Sequence, residues 1–190
     1  GILSDISMMK FIDLQTQYEN IKFDVLKRIQ SVLDGGQYIL GKEVNELESV
    51  LADFSGVEHC VTCSSGTDAL LMILMAWDIG PGDAVFTSPF TFIATAEVIQ
   101  LLGAKPVFVD IDEKTFNIDP EKLEQEIVRI QRENQFNPKA IITVDLFGLP
   151  ADYLKIESIA TKHGLFLLED AAQSFGGSIG EKMAGSFGDM

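Results

Sequence analysis

The chain predicts an α/β fold of three layers, a mostly parallel sheet flanked by helices on both faces. Three observations carry the expectation. From about residue 58 onward, strand-like runs alternate with stretches at helical spacing, the pattern of a parallel sheet with helical crossovers. The run Leu165-Phe166-Leu167-Leu168 is apolar throughout, as a strand buried on both faces must be. The 190 residues are 46% hydrophobic, enough for one sizeable core.

Two helices come first. Leu14, Tyr18, Ile21, Val25, Ile29, Val32 and Leu33 recur at helical spacing and stop at Gly35-Gly36. Val44, Leu47, Val50, Leu51 and Phe54 do the same and stop at Gly56. The glycine-bracketed loop Gly36–Gly41 between them is a plain connector or a substrate or dimer contact. His59–Cys63 then reads as a strand, Ala69–Trp77 as a buried helix, Ala84–Thr87 as a strand and Phe92–Leu102 as a helix. Pro106–Asp110 is a strand, and Pro120–Ile130 is a helix with proline in its first turn, where the missing N–H costs nothing. Gln131–Asn137 is expected to be a polar surface loop. Lys139–Val144, Ala151–His163 and Leu165–Glu169 complete the series as strand, helix and strand. The tail Phe175–Met190 is rich in Gly and Ser and shows no strong periodicity.

The charge balance narrows the partners. Against 14 Lys+Arg stand 29 Asp+Glu, a net charge of -15. Nucleic acid and anionic membrane both need basic patches, so neither is expected. An anionic small ligand stays possible, because backbone N–H groups at a helix start bind phosphate without lysine. Cys60 and Cys63 would point to opposite faces of a strand, so they are expected as free thiols, and no metal site is expected. No run approaches the ~20 apolar residues of a membrane span. Gly1–Met8 lacks the features of a signal peptide and reads as a disordered cloning remnant, with residues 9–190 as one incomplete domain. The cytoplasm is the default compartment.

Chemistry gathers at strand ends. Ser64-Ser65-Gly66-Thr67-Asp68 follows one strand and opens a helix, where free N–H groups, the helix dipole and a nearby hydroxyl from Ser65 or Thr67 make a phosphate cup. The plainer reading is N-capping by Ser65, Thr67 or Asp68. Phe90 and Phe92 follow another strand and can lie against a flat ring or simply fill the core. Asp110-Ile111-Asp112 suits a capped turn better than a cation site. Asp145, after the Ala140–Val144 run, is expected to face the same crevice. Asp170 closes the Leu165–Glu169 strand, with Gln173 three residues on. Such an acid either caps its turn or grips a protonated heterocycle, since open α/β sheets bind ligands outside the carboxyl ends of their strands. Together these residues suit a flat, phosphorylated, protonatable aromatic cofactor.

The same blocks closely resemble the nucleotide-sugar aminotransferases, a branch of the fold-type I pyridoxal phosphate (PLP) enzymes. The resemblance runs from Phe11-Ile12-Asp13-Leu14 to Gly188-Asp189. It includes Gly36–Gly41, Ser65-Gly66-Thr67-Asp68-Ala69-Leu70, Pro81-Gly82-Asp83, Phe90–Thr95, Gly103–Val107 and Glu169–Ser174. It implies the large PLP-binding domain of that fold, truncated and without its C-terminal small domain. By resemblance, Ser65, Gly66 and Thr67 hold the cofactor phosphate, Phe92 stacks on the pyridine ring, Asp170 partners the pyridinium nitrogen and Gln173 donates to the phenolic oxygen. The implied parent moves an amino group, typically from glutamate, onto a keto group of a nucleotide-linked sugar, as a homodimer serving lipopolysaccharide, glycan or antibiotic-sugar assembly. The alternatives are a PLP- or PMP-dependent sugar dehydratase and a non-catalytic regulator of the same fold. Family members carry the Schiff-base lysine shortly after the Ser-Phe-Gly-Asp block, and no lysine here matches it. Lys182 precedes that block. The chain is therefore expected to be a fragment, inactive by itself.

Overall fold

A computed structural model describes residues 10–190; the expected remnant Gly1–Met8 lies outside the described residues. The chain divides into two compact units, Gly1–Leu47 and Glu48–Met190. In the first, helix α1 (Leu14–Gly35) opens where the Asp13 carboxylate accepts the Thr16 N–H at 3.1 Å and closes on Gly36 in the left-handed conformation, φ 66°. Arg28 pairs with Glu46 through two parallel bonds of 2.7 Å. The apolar side chains Leu14, Tyr18, Ile21, Ile29 and Leu33 of α1 are exposed, as are Tyr38, Ile39 and Leu40 of the loop that follows. Helix α2 (Lys42–Ser55) begins in this unit and continues into the second.

The second unit is organised by a four-stranded sheet: β1 (Asp83–Thr87), β2 (Lys105–Phe108), β3 (Asn137–Val144) and β4 (Phe166–Asp170). All neighbours pair in parallel, in the order β2-β1-β3-β4. The chain leaves β1 to one side to form β2, then crosses back to build β3 and β4 on the other side. The sheet thus changes direction between β1 and β3, the topological position where such folds hold ligands.

The two-residue period of the strands sorts side chains into two cores. Ala84, Phe86, Ile141 and Leu167 face one layer, where Leu123 and Ile127 of α5 (Pro120–Glu133) and Ile156 and Ile159 of α6 (Tyr153–His163) pack on them. Val85, Ala140, Ile142 and Leu168 face the other, against Leu70 and Leu74 of α3 (Gly66–Ala76) and Val98 and Ile99 of α4 (Ala94–Leu101). Each of these strand residues is at most 2% exposed, which is why their runs read as unbroken apolar stretches.

Four sequence expectations change. His59–Cys63 is not a strand: its burial does alternate, with Cys60 and Thr62 half-buried and Val61 and Cys63 exposed, but no neighbouring strand pairs with it among the described residues. The Thr62 N–H goes instead to the Glu48 carboxylate at 2.8 Å. The Gln131–Asn137 loop shrinks, because α5 runs on to Glu133 and β3 starts at Asn137, with Phe136 packed on the core. The helix expected from Phe92 starts at Ala94, leaving Phe92 outside it. The tail is ordered by tertiary contacts: a hairpin of β5 (Ser178–Ile179) and β6 (Lys182–Met183), then Phe187, buried and stacked on Tyr153 with ring centroids 4.2 Å apart.

Candidate functional site

Asp170 is the last residue of β4 and is half-buried. The strand's alternation sends Leu167 to the α5/α6 layer and Leu168 to the α3/α4 layer, so Asp170 falls on the α4 side. There its Oδ2 accepts the hydroxyl of Thr95, on the first turn of α4, at 3.2 Å, and its Oδ1 accepts the Ala172 N–H at 3.2 Å. Thr95 in turn shares a 3.0 Å hydrogen bond with Thr91, next to Phe92. Burial raises the pKa of the Asp170 carboxyl above its ordinary value; the two hydrogen bonds oppose this and the nearby charge of Asp145 adds to it. No cation is hydrogen-bonded to Asp170 among the described residues. A half-buried acid so placed is suited to a cationic ligand group, which would restore its ordinary acidity.

Gln173 is exposed, and its Oε1 accepts the Phe147 N–H at 2.7 Å. That bond fixes the amide so that its NH2 is the end left to donate outward. Phe92 is 73% exposed, so it is not one of a pair of core phenylalanines and its ring is left uncovered.

At the start of α3 the N-cap is Ser65, whose Oγ accepts the Asp68 N–H at 3.1 Å and donates to the Asp68 carboxylate at 2.9 Å. Ser64 also donates to that carboxylate. Ser65's hydroxyl is therefore already engaged, and the capping role holds for it. Gly66 and Thr67 differ: neither their N–H groups nor the Thr67 hydroxyl has a partner among the described hydrogen bonds, and nothing lies within 4 Å of a Cβ added at Gly66. Two free N–H donors, a hydroxyl and open space at a helix start form a cradle for an anion.

Other candidates resolve differently. Asp145 does not face the crevice; it is fully buried. Asp110 and Asp112 accept backbone N–H groups of Ile111, Lys114 and Thr115, the capped turn. Both cysteines are free thiols. Lys182 binds Glu157 at 3.2 Å and covers the Phe187 ring, away from Asp170's partners. Among the described residues, no helix is long and apolar enough to cross a membrane. Sequence reasoning missed Thr95 and Phe147. Thr95 was signalled only by its position one helical turn after Thr91.

A model of the DegT/DnrJ/EryC1/StrS aminotransferase family matches residues 19–190. UDP-2-acetamido-2-deoxy-3-oxo-D-glucuronate aminotransferase of Pseudomonas aeruginosa is 53% identical over 90% of this chain and 46% of its own length. A DegT DnrJ EryC1 StrS aminotransferase crystal structure from Brucella abortus superposes with a TM-score of 0.93 at 51% identity, over 95% of this chain and 48% of that one. GDP-4-keto-6-deoxymannose-3-dehydratase, solved with a trapped PLP-glutamate geminal diamine, gives 0.77 at 33% identity, over 86% and 42%. The chain spans about half the length of the relatives it matches.

Proposed function

This chain belongs to the DegT/DnrJ/EryC1/StrS aminotransferase family, and on that premise we propose that residues 9–190 are the cofactor-binding part of a PLP-dependent aminotransferase acting on a keto group of a nucleotide-linked sugar. Glutamate is the proposed amino donor, a cytoplasmic homodimer the proposed form, and polysaccharide or lipopolysaccharide assembly the proposed destination of the product. The observation that carries the reading is Asp170: a half-buried carboxylate at the carboxyl edge of a parallel sheet, held by Thr95 and hydrogen-bonded to no cation among the described residues.

The residues present fit the cofactor. Gly66 and Thr67 offer free N–H donors and a hydroxyl to its phosphate, with open space at the Gly66 Cβ position. Ser65 supports that turn through its cap and adds no free hydroxyl to the phosphate. Phe92 offers an exposed ring face. Asp170 would accept a charge-assisted hydrogen bond from the ring nitrogen and hold its proton there. Gln173 would donate from its free NH2 to the phenolic oxygen. When bound, PLP supplies an electron sink for the carbanion formed in amino-group transfer, and the protonated ring nitrogen is what makes the sink effective.

The test is calorimetric titration of the 190-residue chain with pyridoxamine 5'-phosphate (PMP). Saturable binding that Asp170→Ala weakens roughly 100-fold is the expected result. Equal binding by the variant would overturn the site. In the longer protein, glutamate-dependent amination of a nucleotide keto-sugar tests the activity against the dehydratase and regulator alternatives.

A further inference from the structure

We infer that Asp145 is a positioning residue for the pair Asp170 and Gln173, acting through the turn Ala171–Ser174. The inference rests on the reading just given. Asp145 is 0% exposed and touches no ligand position itself. Its backbone N–H donates to the Asp170 carbonyl at 3.1 Å, carrying the β3–β4 pairing past the strand tips. Its carboxylate gathers three donors. Oδ2 accepts the Ser174 hydroxyl at 2.9 Å, and Oδ1 accepts the Ala151 N–H at 2.9 Å and the Tyr153 hydroxyl at 2.7 Å. The turn bearing Gln173 is thus tied at both ends, to Asp145 N–H through Asp170 and to Asp145 Oδ2 through Ser174. Tyr153 is an immobile post for this tie, buried, stacked on Phe187 and sharing a 3.0 Å bond with Thr143.

The segment after Asp145 completes the device. Phe147 sits at φ 56°, a conformation strained for a bulky side chain, and such strain persists only where the surroundings enforce it. Asn117 enforces it from two sides, accepting the Leu146 N–H at 3.1 Å and donating to the Leu149 carbonyl at 2.8 Å. In that conformation the Phe147 N–H meets Gln173 Oε1. Gly148, at φ 88°, lets the two turns touch: a Cβ there would come within 3.2 Å of the Gln173 carbonyl oxygen. The tie to Ser174 is a single bond on Oδ2, separate from the Ala151 and Tyr153 bonds on Oδ1, so removing the Ser174 hydroxyl loosens the turn and leaves the rest of the Asp145 carboxylate's partners in place.

The experiment compares wild type, Ser174→Ala, Ser174→Thr and Asp170→Ala in the 190-residue chain. Ser174 touches no proposed cofactor atom, so its variants isolate the tie. Loss of one hydrogen bond to a buried carboxylate should weaken PMP binding by about ten-fold in Ser174→Ala. The absorbance band of bound PMP, which reports the phenolic oxygen that Gln173 would face, should shift as well. Ser174→Thr keeps the hydroxyl and should restore both. Unchanged PMP affinity and band in Ser174→Ala, with Asp170→Ala still losing binding, overturns the inference and leaves the cofactor reading standing. Weakening that tracks a general fall in melting temperature, with no band shift, also overturns it. If wild type binds no PMP, the cofactor reading fails, and amide hydrogen exchange decides the tie: Phe147 and Gly177 should exchange faster in Ser174→Ala, and wild-type rates there overturn it.

Discussion

Two strands of the sheet deliver a pair of acids to their carboxyl ends, and the pairs meet opposite fates. After β2, Asp110 and Asp112 turn back on their own loop, accepting local N–H groups, and Asp110 takes Lys122 at 2.9 Å. Asp110 is exposed and Asp112 half-buried, and these bonds hold their carboxyls below the usual range, with the Lys122 hydrogen bond leading at Asp110 and the Thr115 N–H at Asp112. At β4, Glu169 and Asp170 are taken up by the protein on either side. Glu169 is 8% exposed and accepts the Gly185 and Phe187 N–H groups at 2.8 Å each, and Asp170 takes Thr95. Burial raises both carboxyls, Glu169 to about 7. The lesson is that an acid at a strand tip is suited to a cationic ligand when its neighbours bury it without neutralising it. The acids after β2 instead find their partners within their own loop and on Lys122.

The contrast can be broken at several points. Replacing Asp170 by alanine should have the largest effect, roughly 100-fold weaker PMP binding, while the same change at Asp112 should leave PMP affinity untouched in the same titration. Second comes pH. Glu169 holds its proton more tightly in the folded chain than in the unfolded one, so the folded state binds more protons between about pH 4.5 and 7 and stability falls as pH rises through that window. The loss is up to about 3 kcal/mol, read as a falling urea midpoint from pH 5 to 8, and Glu169→Gln should flatten that slope. A midpoint that rises over this window would remove the contrast. Third, Thr95→Val removes the hydroxyl that holds Asp170 and should weaken PMP binding by about five-fold, without changing the urea midpoint at pH 5 by more than a minor amount. The smallest effect is expected from Asp112→Ala: a slightly lower melting temperature by circular dichroism, since only an exposed turn is loosened.

The layers and the tip of β4 were legible in the sequence because they rest on short-range regularities. Apolar runs mark doubly buried strands, helical spacing marks the faces of α5 and α6, and Ser65 before Gly66-Thr67 marks a helix start. What stayed hidden depends on partners distant in sequence. The alternation at His59–Cys63 was real, yet a strand also needs a ladder neighbour, which periodicity does not report. Asp145 looked like a crevice acid because its sequence position could not show that Ser174, 29 residues away, would claim its carboxylate. The tail had no period to read, since Glu169 and Tyr153 order it from outside. The carry-over of roles to Gly66, Thr67, Phe92 and Gln173 came from resemblance, and the structure supplies each with a free donor or an open face consistent with it.

The ladder between β3 and β4 has a final consequence. It runs residue by residue from Ala140 against Phe166 to Val144 against Asp170. Slipping it by a single step would exchange the two acids between faces, putting Glu169 on the Thr95 side and Asp170 toward the tail. Intermediate placements do not exist on a pleated strand. The charge at the rim is therefore set as a switch is set, to one of two positions, and five rungs of backbone hydrogen bonding keep it there.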